Sequence, residues 1–400
     1  MSFTSFHLHP QIAAGVQALG YSVPTPIQLK AIPPVLRGQD VMGVAQTGTG
    51  KTAAFVLPIL ERLIKRPRGR TRALVIAPTR ELANQINSHI ADLGRQTQLR
   101  STTIYGGVAM SPQVQKLRSG VEIVVACPGR LLDHLQQGTI RLSDLEVLVL
   151  DEADRMFDMG FLPDIRKILR YVPAKRQTLL FSATMPDDIR QLAQDVLHSP
   201  VSVEVNPSSP ARTVAHALYP VEQHLKTDLL LALLRHTDTK SVLVFTRTKH
   251  RARRVGEQLE KAGFRAASLQ GNLSQNQRQA ALDGFRDGRY QVLVATDIAA
   301  RGIDVSRISH VINYDMPDTA DAYTHRIGRT GRAEKSGDAF TFSTREDGAM
   351  VRSIERVLGK KVECRSVPGF DYKKPAPGRD REFARPPRGM QRWGRKRWMP

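Results

Sequence analysis

The chain has 400 residues, 41% of them apolar, which is enough for two or three domains of ~100–200 residues with full cores. No stretch approaches the ~20 apolar residues of a membrane span, the N-terminus lacks a basic start followed by an apolar run, and two distant cysteines, Cys127 and Cys364, exclude a disulfide framework, so a cytoplasmic protein is expected. Of the net charge of +21, residues 365–400 carry +8 (eleven Lys/Arg against three Asp/Glu), so folded part and tail are both basic, as suits a polyanion partner.

The first predicted helix places Ile12, Val16 and Leu19 on one face, and Gly20 stops it. Pro24 and Pro26 then force an extended turn that can aim Gln28. An amide offers donor and acceptor together, which matches the edge of adenine. Residues 41–45 read as a strand and Thr52 to Leu63 as a helix. Between them runs A-Q-T-G-T-G-K-T: Ala45, Gln46, Thr47, Gly48, Thr49, Gly50, Lys51 and Thr52. This is the phosphate-binding loop with Ala45 in place of the first glycine. Gly48 and Gly50 let backbone N–H groups approach phosphate oxygens, and the helix N-terminus adds its dipole. Lys51 suits the β- and γ-phosphates, and Thr52 suits Mg²⁺.

Further short apolar strands each break into a loop carrying Thr, Arg, Gly or Ser. These loops are P-T-R-E-L-A (78–83), Gly106-Gly107, C-P-G-R (127–130) and S-A-T (182–184). Hydroxyls, arginines and glycine-rich turns at strand ends can grip a sugar–phosphate backbone without reading bases. Among them, Val147 to Leu150 form an apolar run that reads as a strand buried on both faces. It ends in Asp151, Glu152 and Asp154. Carboxylates at that end of a parallel sheet stand where α/β proteins bind ligands. One can hold Mg²⁺ and the next can take a proton from water. An isolated D-E-A-D would read as a solvated acidic turn. The phosphate loop and the loops around it favour the catalytic reading.

A Pro/Ser-rich stretch within 198–213 reads as a linker, after which the strand–helix rhythm restarts. Residues 240–248 and 290–297 are strands, and the helix between them buries Val255 and Leu259. H-V-I-N-Y (310–314) is another strand, and H-R-I-G-R-T-G-R (325–332) follows, with arginines at 326, 329 and 332. This half has no phosphate loop, so its arginines are expected to serve the triphosphate held by the first half. In the last 36 residues, proline, charge and few aliphatics predict disorder. Trp393 and Trp398 among arginines suit sequence-tolerant contact with single strands.

The chain resembles the DEAD-box ATP-dependent RNA helicases of superfamily 2. The likeness is carried, in order, by Phe3 and G-Y-S-V-P-T-P-I-Q, A-Q-T-G-T-G-K-T, P-T-R-E-L-A, Gly106-Gly107, C-P-G-R, D-E-A-D, S-A-T, the Gln275/Arg278 pair, A-T-D-I-A-A-R-G-I-D (295–304) and H-R-I-G-R-T-G-R. The compact N-terminus and short basic tail look most like the bacterial RhlE type. The resemblance implies an α/β fold of two tandem RecA-like domains, each a mainly parallel sheet flanked by helices, closing over ATP and RNA. It implies Phe3 stacked on adenine, Gln28 reading its edge, and Asp304 on the ribose. It implies Asp151 on Mg²⁺ through water, Glu152 as base, and Arg329 and Arg332 as arginine fingers. Ser182 and Thr184, with Asp154 and His325, would couple the nucleotide to closure. Thr79, Arg80, Gly107, Gly129, Arg130, Arg278 and Thr296 would lie along the RNA backbone. Cys127 departs from the family, where Thr is usual.

The expected division is 1–205 for the ATP-binding domain, 206–213 for the linker, 214–365 for the second domain and 366–400 for the basic tail. The expected activity is RNA-stimulated ATP hydrolysis that separates short duplexes, by a monomer with ATP and Mg²⁺ as its cofactors and with little sequence preference. An ATP-gated RNA clamp or annealing factor needs the same site. A DNA translocase of the same superfamily is disfavoured by the Gln28 loop and by P-T-R-E-L-A.

Overall fold

A computed structural model describes residues 2–46, 48–205, 214–237, 239–300, 308–330 and 337–376. Within these residues the chain builds two parallel sheets of seven strands each. The first contains β1 (Val41–Val44), β2 (Ala73–Ile76), β3 (Ser101–Ile104), β4 (Ile123–Ala126), β5 (Val147–Leu150), β6 (Gln177–Ser182) and β7 (Val201–Glu204). Their order is β3-β4-β2-β5-β6-β1-β7. The second contains β8 (Val214–Pro220), β9 (Val242–Thr246), β10 (Ala266–Leu269), β11 (Val292–Thr296), β12 (His310–Asn313), β13 (Gly337–Ser343) and β14 (Glu363–Cys364), in the order β10-β11-β9-β12-β13-β8-β14.

The apolar runs become central strands because both of their faces are covered. In β5, Val147 and Val149 enter the core on one face of the sheet, while Leu148 and Leu150 enter the core on the other. In β9, Val242 and Val244 divide in the same way from Leu243 and Phe245. Alternate side chains of a strand point to opposite faces, so a run without polar alternation fits only a sandwiched sheet. The helix Lys51–Leu63 packs an almost continuous apolar stripe, from Phe55 to Leu63, into the first of these cores.

Two departures from expectation are clear. Leu19 caps the first helix, Pro10–Ala18, and is exposed, while Ile12 and Val16 carry its burial. The basic tail was expected from residue 366, yet residues 366–376 pack on the second sheet. Val367 is buried in its core, and Phe370 and Tyr372 meet edge-to-face with centroids 4.8 Å apart. The Val367 N–H donates to Tyr372 Oη at 2.9 Å, and Lys374 Nζ reaches Asp228 Oδ2 at 2.9 Å. Three apolar side chains within six residues suffice to dock this stretch despite its prolines. The expected linker, 206–213, and the tail beyond 376, with Trp393 and Trp398, lie outside the described residues.

Candidate active site

Strand order decides what meets. The neighbours β5, β6 and β1 deliver the acids at 151–154, the S-A-T turn and the phosphate loop side by side at one sheet edge. Gly50 has φ +92 and caps the helix Lys51–Leu63, a backbone shape that L side chains resist. Lys51 is buried and its Nζ donates to the Ala45 carbonyl at 2.8 Å, so the loop closes around its own cation. Thr52 stands in the first turn of that helix, half-buried. Thr49 Oγ1 donates to the Gln46 carbonyl at 2.8 Å, and Gly48 is exposed at φ +85. Thr47 lies outside the described residues.

Gln28 is only 4% exposed. Its Oε1 accepts from the Thr25 N–H at 2.9 Å as part of a capping box, and its Nε2 donates to the Gly50 carbonyl at 3.1 Å. The amide expected at an adenine edge is therefore tied into a helix cap and the phosphate loop. Phe3 is likewise not an open ring. It is buried, with Tyr21 stacked at 5.9 Å and Phe6 edge-on at 5.8 Å. An apolar ring close to the core takes aromatic partners from its own chain.

The three acids have three environments. The Asp151 carboxyl is pushed up to about 6, first by burial, with Lys51 opposing and the Glu152 charge reinforcing. Its Oδ1 accepts the Glu152 N–H at 3.0 Å. Glu152 adopts the left-handed backbone (φ 53) at the start of the helix Ala153–Asp158. Its Oε2 accepts from Arg155 Nη1 at 2.7 Å, and both side chains are buried. Asp154 turns the other way: its Oδ2 accepts from the Ala183 N–H at 3.2 Å, the Thr184 N–H at 3.1 Å and Thr184 Oγ1 at 3.2 Å. Ser182 Oγ returns the bond by accepting the Asp154 N–H at 3.1 Å.

The pKa of Asp151 is raised above its ordinary 3.8, so the folded state holds this proton more tightly than the unfolded chain does. The group therefore favours folding below about pH 4, and that contribution is lost as pH rises to about 6. Asp151→Asn should accordingly raise thermal stability at pH 8, with the gain vanishing below pH ~4. A gain independent of pH, read from melting curves, would contradict this account of the buried carboxylate.

Among the described residues, no cluster of three or more His, Cys, Asp or Glu could hold a metal. The donors present, one buried carboxylate and one helix-start hydroxyl, fit a Mg²⁺ that keeps waters and takes its remaining ligands from phosphates.

The second sheet brings its own residues against this edge. Burial lowers the pKa of His325, the Arg155 and Arg329 charges add to that effect, and Asp154 opposes it, so His325 sits in the field of the acidic loop. A cavity of about 60 Å³ is lined by Arg155 and Asp158 from the first half and by His325 and Arg329 from the second. Arg329 is 5% exposed. Arg326, equal to it in the sequence pattern, is consumed internally. Its guanidinium pairs with both Asp297 oxygens at 2.6 and 2.7 Å, donates to Asn313 Oδ1 and the Asp315 carbonyl, and lies over the Phe245 ring. It ties three strand ends together and is not available to a triphosphate. Arg332 and Asp304 lie outside the described residues.

A second cavity between the halves, of about 430 Å³, collects Thr79, Arg80, Gly129, Arg130 and Arg278, with Cys127 and Gln275 beside them. Gly107 borders it, since a Cβ there would lie 2.2 Å from the Arg80 guanidinium. Thr79 caps the helix Arg80–Leu93, and Arg130 Nη1 donates to the Val108 carbonyl at 3.1 Å. Burial pushes the Cys127 thiol up to about 12, which leaves it inert. Thr296 does not line this cavity; its Oγ1 accepts the Ala299 N–H at 3.4 Å.

Arg80 and Arg278 are bonded across the cleft. Arg80 Nη1 donates to Gln275 Oε1 at 3.0 Å, and Arg278 donates through Nε and Nη2 to Glu81 Oε1 at 3.0 and 2.8 Å. Both bonds cross between the sheets. Partly buried cations take the nearest carboxylate or amide, and here those belong to the other half. Sequence reasoning assigned no role to Glu81, Arg155 or Gln275, although Glu81 and Gln275 stood in quoted motifs and Arg155 lies one helical turn after Glu152.

Known proteins resemble the chain across both halves. The DEAD/DEAH box helicase pattern matches residues 25–192, and the helicase conserved C-terminal domain matches 225–334. The ATP-dependent RNA helicase RhlB of Pseudomonas aeruginosa is 45% identical over 385 residues, covering 94% of this chain and 97% of that one. The ATP-dependent RNA helicase CshA of Listeria monocytogenes is 43% identical over 370 residues, covering 92% and 71%. Among solved structures, S. cerevisiae Dbp5 bound to RNA and ADP BeF3 superposes with a TM-score of 0.80 at 30% identity, over 91% of this chain and 95% of that one. Likeness on this scale, in sequence and in fold and over both sheets, shows that the chain belongs to the DEAD/DEAH box helicase family.

Proposed function

We infer that the protein is an ATP-dependent RNA helicase, in which RNA-stimulated ATP hydrolysis drives local separation or remodelling of short RNA duplexes. The observation that carries this reading is the crossing of the two halves. Acids, lysine and phosphate loop come from one sheet, His325 and Arg329 come from the other, and a cavity of about 430 Å³ runs between them.

The proposed mechanism follows from the site. Lys51 exchanges the Ala45 carbonyl for β- and γ-phosphate oxygens, and Gly48, Thr49, Gly50 and Gln46 offer the backbone around them. Thr52 and Asp151 would hold Mg²⁺, which would offset charge on the phosphates. Gln28 and Phe3 border the adenine, and Asp304 the ribose. Water attacks the γ-phosphorus, the bond to the β-phosphate oxygen breaks, and Glu152 receives the proton. Arg329 and Arg332 stabilise the charge spread over the transferring group. Asp154, held by Ser182 and Thr184 and facing His325, passes the state of this site to the closure of the halves. Thr79, Gly107, Gly129 and Arg130 hold RNA by its backbone, so affinity falls steeply with salt.

Arg80–Gln275 and Arg278–Glu81 act as the clasp that closure must form. Arg278→Ala is expected to leave unstimulated ATP hydrolysis unchanged and to reduce RNA-stimulated hydrolysis and duplex separation by roughly 5–150-fold, the usual range of a coupling energy. Equal losses with and without RNA would refute the clasp. The domain division near 206–213, a monomeric state and a cytoplasmic location are part of this reading. No described helix is long and apolar enough to cross a membrane. We place the chain nearest the bacterial RhlE type within the family.

A further inference from the structure

The helix Lys249–Lys261 carries a basic face that the mechanism leaves unused. Ala252, Val255, Gly256 and Leu259 are buried against the sheet, which fixes the helix's orientation. The opposite face is exposed and presents Lys249, His250, Arg253, Arg254 and Lys261, with Glu257 and Glu260 as its acids. Lys249, Arg253, Glu257 and Lys261 follow at intervals of four residues, so they form one winding stripe, basic except at Glu257, along a helix about 20 Å long. Beside it lies a surface hollow of about 490 Å³ lined by His250, Arg253, Arg254 and Lys261, with Glu257 and Gln258 among them.

The stripe begins at the mouth of the cleft. Lys249 Nζ donates to Asn272 Oδ1 at 3.0 Å, and the preceding residue, Gly271, lines the cavity between the halves with Gln275 and Arg278. A strand leaving the cavity past Gly271 therefore meets Lys249 first and then the rest of the row. Within the stripe, the bond from Arg253 Nε to Glu257 Oε1 at 2.7 Å joins two well-exposed side chains, so a phosphate competes for Arg253 at small cost.

We propose that the exposed face of the helix Lys249–Lys261 is a second RNA-contacting surface, which holds the sugar–phosphate backbone of RNA flanking the segment in the cleft. The proposal rests on reading the adjoining cavity as the RNA track. This surface would leave the chemistry alone and lengthen the stay of the enzyme on RNA that extends beyond its own footprint.

The test uses the full chain and two RNAs: a single strand just filling the cleft, and the same strand with single-stranded extensions on both sides. In Arg253→Gln/Lys261→Gln, the concentration of extended RNA that half-saturates ATP hydrolysis should rise roughly tenfold. The log–log salt slope for that RNA should fall by about 1.4, the value for two lost phosphate contacts on a single strand. The short RNA and the turnover at saturation should be unchanged. Glu257→Gln/Glu260→Gln should shift extended-RNA affinity the opposite way, which a mere folding defect would not do. Equal effects on the two RNAs, or none on the extended one, would overturn the proposal and leave the face to an acidic protein. A parent chain that RNA does not stimulate at all would instead sink the reading of the cleft, and the proposal with it.

Discussion

Glu152→Gln is expected to bind ATP as the parent does and to lose hydrolysis by about 10²–10⁴-fold, the usual contribution of a positioned base. The side chain is nearly isosteric, and its oxygen can still accept from Arg155, which now donates to Oε2 at 2.7 Å. What disappears is the charge that takes the water's proton. The substitution also leaves a buried guanidinium without its carboxylate, so some loss of stability accompanies it. Nucleotide affinity by fluorescence and turnover by phosphate release, both well below the melting temperature, separate the two effects. Turnover near that of the parent would remove Glu152 from the role.

Arg329→Ala should cost about 10³-fold or more in RNA-stimulated turnover, on the scale of an arginine supplied across a cleft. The residue is almost fully buried and lines the small cavity with Arg155 and His325, so it reaches the site only when the halves meet. ATP affinity in the absence of RNA should change little, because the phosphate loop belongs wholly to the first sheet. Arg326→Ala makes the contrast. Losing the pair to Asp297 and the bonds to Asn313 and Asp315 should unfold the second half rather than slow the chemistry. An Arg329→Ala variant with parental turnover would show that the arginine merely fills space.

Much of this was legible because parallel strands sandwiched between helices announce themselves as apolar runs. β1, β5, β6, β9, β11 and β12 all stood out in this way, each ending at a chemically distinctive turn. The phosphate loop was legible for a similar reason, since few sequences place glycines and a lysine between a strand and a helix. The cross-cleft clasp was not. Arg80 meets Gln275 across 195 residues, and Arg278 meets Glu81 across 197, so local pattern cannot pair them. Arg326 and Arg329 look alike in the octapeptide, and only the fold aims one at strand ends and the other at the cavity. Val367, Phe370 and Tyr372 were hidden by the prolines and charges around them, although together they suffice to dock the chain on the second core.

The central claim is that the ATPase site is completed only when RNA draws the halves together. The most direct measurement is steady-state ATP hydrolysis by the full chain with no nucleic acid, with single-stranded RNA, and with DNA of the same length and sequence. The account predicts slow turnover alone and with DNA, strong stimulation by RNA, and loss of that stimulation in Arg278→Ala. Turnover indifferent to RNA, or stimulated equally by DNA, would contradict it.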